Sequence, residues 1–270
     1  MLIDRARRLW SRTGWARLGR RRRLDYIADT TFSRFRPWSG IAEAGYDLNW
    51  IGQRTDVRFV ASWADEARSK ERHYDPCPYP QLGEEIFEWL MLLDAVLDAR
   101  DRFVMVEAGA GFGRWLVSAA LALQRAHPGM PSYLIGIEGD AHHYECLSQH
   151  LRDNGLDPDR HRLIHGAVSD RDGEAEFAVN DNPTGFWGQW LLPSGGALAG
   201  APNLRAERVA TYSIETLLAD LDRVDHMDFD IQGAEQAAIA AGIDAMTRKV
   251  RRVFVETHGA EIHTAVAETF

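Results

Sequence analysis

The stretch Val106-Glu107-Ala108-Gly109-Ala110-Gly111-Phe112-Gly113 decides how this chain of 270 residues is read. Its leading half belongs to Phe103–Ala108, a short apolar run of the kind that forms a strand buried on both faces. Residues 113–124 follow with helical spacing. The glycines between them allow a tight turn and let a ligand approach the backbone, with the N–H groups of the next helix aimed at it. A dinucleotide fingerprint would need G-x-G-x-x-G, and Arg114 occupies the position of its last glycine. An NAD-type cofactor is therefore disfavoured. Glu107, two residues before the first glycine, would also repel a pyrophosphate, whereas it suits the cationic amino-acid end of S-adenosylmethionine.

Outward from this turn the pattern alternates. Residues 133–138 read as a second strand, 141–154 as a helix, 162–168 as a third strand and 174–179 as a short further one. Residues 180–205 read as a long loop with Phe186, Trp187 and Trp190, aromatics suited to stacking on a sugar ring or closing as a lid. Residues 213–221 read as a helix, 227–231 as a strand, 234–241 as a helix and 252–256 as a last strand. Upstream, Ile86, Leu90, Leu93 and Leu97 recur at helical spacing over residues 82–99, with Glu84 and Glu85 at the positive end of that helix dipole. Short apolar strands between helices predict an α/β fold with a mostly parallel sheet covered on both faces. The reading divides the chain into a basic, aromatic extension over 1–80 and one α/β domain over 81–270.

In such a sheet, ligands bind beyond the carboxyl ends of the strands. The second strand ends at Glu138-Gly139-Asp140, where a carboxylate can accept hydrogen bonds from both ribose hydroxyls. The third leads to Ala167 and Asp170, where an adenine edge would be met, although Asp170 also suits a turn over 170–173. The candidate cofactor residues are thus Glu107, Gly109, Gly111, Gly113, Glu138, Gly139, Ala167 and Asp170. His142 and His143 open the next helix, where polar residues are common, and are not counted among the site residues.

Together, residues 106–113, 136–140, 147–156, 166–173 and 228–235 resemble the FkbM-type S-adenosylmethionine-dependent methyltransferases, over roughly residues 82–260 and in the expected order. The resemblance implies a class I methyltransferase fold and methylation of hydroxyl groups, often on sugars or natural products. The chain departs from the family at Asp228-Phe229-Asp230-Ile231-Gln232-Gly233, where Lys-Ile-Asp-Val-Glu-Gly is usual. That Gln motivates an alternative, a non-catalytic nucleoside-binding protein that keeps the fold for regulation or scaffolding.

Asp228 and Asp230 are two apart on a strand and share a face, as do Glu256 and His258 on the next. Buried aspartates at such spacing need a cation or a proton between them. The arrangement is similar to that of metal-dependent sugar O-methyltransferases of the macrocin type. That similarity implies Asp228 and Glu256 as ligands of Mg²⁺, Asp230 as base and His258 as a second base or ligand; the alternative is that Asp228 and Asp230 only hold the methionine amino group or cap the following helix.

The formal net charge is −9, yet the first 24 residues hold nine Arg and one Asp, leaving −17 for the remainder. A body of that charge argues against nucleic acid as partner. Leu9, Trp10, Trp15 and Leu18 among the arginines suit either a basic amphipathic helix at a membrane surface or an arm packed on the protein or on a second subunit. No apolar run approaches the ~20 residues of a membrane span. Cys77 and Cys146 are too few for a disulfide framework and fit a reducing cytoplasm. The acceptor is expected to be a small molecule or an oligosaccharide. The chain ends 12 residues after His258, short of the helix and two further strands, the last antiparallel, that normally complete this fold. Either those strands are missing, or residues 1–80 or the partner of a homodimer cover the last strand's edge.

Overall fold

The computed structural model describes residues 30–63, 71–81, 83, 85–193, 198 and 203–270. The arginine-rich segment, its possible amphipathic helix, Leu82 and Glu84 lie outside the described residues.

The N-terminal part contributes two small antiparallel pairs. Strand β1 (Gly40–Ala42) pairs with β4 (Arg72–Tyr74), and β2 (Tyr46–Leu48) with β3 (Arg54–Asp56). Phe32, Phe35, Trp50 and Ile51 are buried in the same apolar cluster as the first long helix, α1 (Ile86–Leu97). Edge-to-face contacts join Trp50 to Phe32 and to Trp89, each with ring centroids about 5 Å apart.

The centre is a five-stranded sheet of β5 (Phe103–Ala108), β6 (Ser132–Glu138), β7 (Arg162–His165), β12 (His226–Phe229) and β13 (Val253–Val255). Its spatial order is β13-β12-β5-β6-β7 and every pairing is parallel. This is the class I methyltransferase order. The order in which strands are added reverses at β5, going outward to β6 and β7 on one side and to β12 and β13 on the other, so the ligand crevice belongs at the carboxyl ends of β5 and β12. Alternate β5 side chains feed the two faces. Phe103 and Met105 pack under α1 and α2 (Arg114–Ala126), whereas Val104, Val106 and Ala108 pack under α4 (Ile214–Leu218) and α5 (Glu235–Lys249). Each fully buried aliphatic or aromatic side chain there contributes about 1.5–3 kcal/mol.

Several boundaries differ from the sequence reading. The run 162–168 is not one strand, because at Gly166 the chain leaves the main sheet and β8 (Ala167–Ser169) joins a second one. That sheet, ordered β10-β9-β11-β8, holds β9 (Gly173–Asn180), β10 (Trp190–Leu191) and β11 (Leu204–Ser213). The expected loop 180–205 therefore contains strand β10 and runs into the start of β11. Helix α5 runs eight residues further than expected, to Lys249, and α4 is shorter than the expected 213–221. A final helix α6 (Ala260–Thr269) packs its Val266 into the cluster beneath α5. Among the described residues no helix is long and apolar enough to cross a membrane.

Candidate active site

The glycine turn is built as its sequence requires. Gly109, Gly111 and Gly113 all have positive φ, at 77°, 53° and 73°. A Cβ on Gly109 would stand 1.8 Å from the carbonyl oxygen of Asp230, so only glycine lets the turns after β5 and β12 meet. Gly113 has a different task. It caps α2 and packs against Leu147, and it does not line the cavity.

The cavity at these strand ends has a volume of about 600 Å³. Gly109, Gly111, Glu107, Glu138, Gly139 and Ala167 line it, together with Asp228, Asp230 and Glu256. Asp170 does not. It is held in the turn before β9 by Ser169 and Arg171, and the turn chemistry outcompetes the cofactor role.

On the β6 side, Glu138 accepts hydrogen bonds from the Gly111 N–H (2.8 Å) and the Asp140 N–H (2.7 Å). Burial pushes its pKa up to about 7, against the pull of those two donors. Asp140 caps helix α3 (Ala141–Asp153), accepting from the N–H groups of His142 and His143. His143 lines the cavity and stacks flat on Trp187, with centroids 3.8 Å apart and planes 6° from parallel. Its Nε2 donates to the Pro183 carbonyl, and burial holds its pKa below the ordinary value. Trp187 also reaches within van der Waals distance of where a Gly111 Cβ would be, walling the turn. Of the loop aromatics, Trp187 lines the cavity and Phe186 and Trp190 do not.

The β5–β12 side is dominated by carboxylates. Glu107 and Asp228 are paired in register on neighbouring parallel strands, so both side chains share the face under α1. Glu107 accepts a hydrogen bond from the Leu116 N–H (3.1 Å) near the start of α2. Burial and the adjacent Asp228 nonetheless raise its pKa well above the carboxylate range. Asp228 is 3% exposed. Burial, then Asp230 and Glu256, push its pKa up to about 8, opposed by the Phe229 N–H.

Asp230 lies nearer solvent. Gln232 Nε2 donates to its Oδ1 at 2.8 Å, and His258 Nε2 stands 3.4 Å from the same oxygen. The other ring nitrogen of His258, Nδ1, is 2.8 Å from Glu235, whose fully buried carboxylate also accepts from the Gly233 N–H. Burial and Glu256 push the Asp230 pKa up to about 6, while His258 and Gln232 lower it. His258 does not line the cavity; it stands against Asp230, which does.

The residues do not fit the expected metal. Among the described residues no group of three or more His, Cys, Asp or Glu side chains is placed to hold an ion. Asp228 is sunk beside Glu107, Glu256 is exposed, and Asp230 is already engaged by Gln232 and His258. The assignment of Mg²⁺ to Asp228 and Glu256 is corrected accordingly.

Two participants escaped the sequence reading. Glu235 resembles any acidic residue in a first helical turn, and its link to His258 is tertiary. Glu88 falls outside the apolar stripe of α1, yet α1 is buried almost all round and Glu88 lines the cavity.

No family model matches the chain. It is similar to a putative methyltransferase of Jannaschia sp. (strain CCS1), 28% identical over 233 residues that cover 83% of this chain and 80% of that protein. Among solved structures, it aligns with a precorrin-6y C5,15-methyltransferase from Geobacter metallireducens GS-15 at 14% identity, TM-score 0.38, over 70% of each chain. It also aligns with the methyltransferase FkbM from Methylobacillus flagellatus KT at 14% identity, TM-score 0.37, over 60% of this chain and 41% of that one.

Proposed function

We propose that the protein is an S-adenosylmethionine-dependent methyltransferase acting on a hydroxyl of a sugar or other polyhydroxylated metabolite. One juxtaposition carries this reading. The glycine turn after β5 and Glu138 after β6 share a single cavity with Asp230 after β12, so a nucleoside-holding wall faces a base-bearing one. The similarity to a putative methyltransferase of Jannaschia supports methyl transfer.

When bound, S-adenosylmethionine supplies an electrophilic methyl group on sulfur. Glu138 would accept from the ribose hydroxyls, the backbone at Gly109 and Gly111 would let the cofactor approach, and Ala167 and Gly139 would border the base. An alkyl hydroxyl scarcely ionises at neutral pH, so its proton must leave as the new C–O bond forms. Asp230 is the group placed to take it. With a pKa of about 6 it is ionised at neutral pH yet more basic than an ordinary aspartate. Glu235 fixes His258, and His258 and Gln232 fix the Asp230 carboxylate, so both act as positioning residues. Gln232 thus has a use of its own as a donor to the base, which weighs against a non-catalytic role. Trp187 on His143 restricts water on the opposite wall.

The test is methyl transfer from S-adenosylmethionine to a panel of sugars and hydroxylated natural products, followed by mass spectrometry. The expected result is a product one methyl heavier. Asp230→Asn should lower kcat by about 10²–10⁴-fold while leaving S-adenosylhomocysteine affinity nearly unchanged. Failure with every acceptor, or an equally active Asn variant, would refute the reading.

A further inference from the structure

Helix α1 carries a carboxylate with no task in this scheme. Glu88 is 8% exposed, and its carboxylate has no hydrogen bond or ion pair among the described residues. It faces the cavity, where its electrostatic neighbours are Asp228, Glu256, Arg114 and Glu85. The one guanidinium that lines the cavity, Arg114, is committed elsewhere. It donates two hydrogen bonds of 2.6 Å to Glu85 and lies over the Trp115 ring.

Two other buried acids of the cavity are satisfied by backbone donors. Glu107 has the α2 N–H groups, and Glu138 has Gly111 and Asp140. Among the described residues seven carboxylates line the cavity against a single, already paired arginine. A buried carboxylate without a donor is costly, and burial beside Asp228 pushes Glu88 up to about 9. A cationic ligand would relieve that cost by donating to Glu88 and to its deeply buried neighbour Asp228. An ammonium, with three rotatable donors, can be shared between two carboxylates, and among the described residues no group of three or more His, Cys, Asp or Glu side chains is placed to hold a metal ion. Phe254 lines the same cavity, and an aromatic ring attracts cations to its face.

We propose that the acceptor is a hydroxylated amine, an amino sugar or amino alcohol in chemical class, whose ammonium is held by Glu88 and Asp228 while its hydroxyl faces Asp230. Glu256 at the rim adds attraction for the incoming cation. The proposal rests on the methyl-transfer reading and narrows its substrate.

The experiment uses the full chain saturated with S-adenosylhomocysteine. Matched pairs of hydroxylated amines and their N-acetyl derivatives, such as glucosamine with N-acetylglucosamine, are screened by ligand-observed NMR. Binding should be confined to amines, with Kd for the best at least about tenfold below that of its acetylated partner, and Glu88→Gln should remove that preference. The variant should melt no lower than the wild type and should keep its affinity for S-adenosylhomocysteine. Equal binding of acetylated partners, no amine binding, or a preference retained in Glu88→Gln would overturn the proposal. So would a variant that loses S-adenosylhomocysteine, which would assign Glu88 to the cofactor's own amino group. If the wild-type chain fails to bind S-adenosylhomocysteine, the methyl-transfer reading itself fails.

Discussion

Replacing Asp228 by Asn should make the ligand-free protein more stable, and increasingly so as pH rises. Asp228 is 3% exposed and sits in register with Glu107. Burial and the nearby acids Asp230 and Glu256 raise its pKa from 3.8 to about 8. Between those two values the folded chain holds a proton that the unfolded chain has lost, so wild-type stability falls as pH rises through this window. The full difference corresponds to about 6 kcal/mol. Part is repulsion that disappears when Asp230 or Glu256 is itself protonated, so about 3 kcal/mol is the working figure above pH 8. Asn has the shape of a protonated aspartate and escapes this cost. The variant should match the wild type near pH 4 and melt about 6 °C or more above it at pH 8. Thermal unfolding of both proteins across pH 4–8.5, without ligand, is the assay. A variant that melts lower at pH 8, or a difference that does not change with pH, would refute the argument that Asp228 is an acid held at a cost for function.

Two further outcomes follow from the same geometry. Gly109→Ala places a Cβ into the Asp230 carbonyl at a positive φ, so displacement of the base should lower kcat/KM by about a hundredfold; near-normal steady-state kinetics would contradict the close approach. Gln232→Glu replaces a donor to Asp230 with a like charge. The Asp230 pKa should then rise, and the acidic limb of the pH–rate profile should move up from about pH 6; an unmoved limb would detach Gln232 from the base.

The sheet was legible because its strands are short apolar runs that end at chemistry-bearing residues: Phe103–Ala108 at the glycine turn and β6 at Glu138. Of the second sheet only β9 was read as a separate strand. Strand β11 mixes Arg205, Glu207 and Arg208 into one largely solvent-facing ladder, so its apolar alternation is weak. The carboxylate pair Asp228 and Asp230 could be placed on one face by spacing alone. What they meet could not, since Glu107 arrives through strand register and Glu88 through helix packing. Glu88 is the sharpest instance. A stripe of Ile86, Leu90, Leu93 and Leu97 implies a wet opposite face, but Trp89, Leu92 and Val96 are buried as well. Asp170 failed for the opposite reason, because its immediate neighbours Ser169 and Arg171 satisfy it locally.

The central claim is that the cavity between the glycine turn, Glu138 and Asp230 holds the S-adenosyl nucleoside. Calorimetric titration of the full chain with S-adenosylhomocysteine tests it directly. We expect one site per chain with micromolar affinity, weakened by about tenfold or more in Glu138→Gln, whose amide can no longer accept from both ribose hydroxyls as a carboxylate does. No binding at millimolar ligand, or affinity indifferent to Glu138, would contradict it.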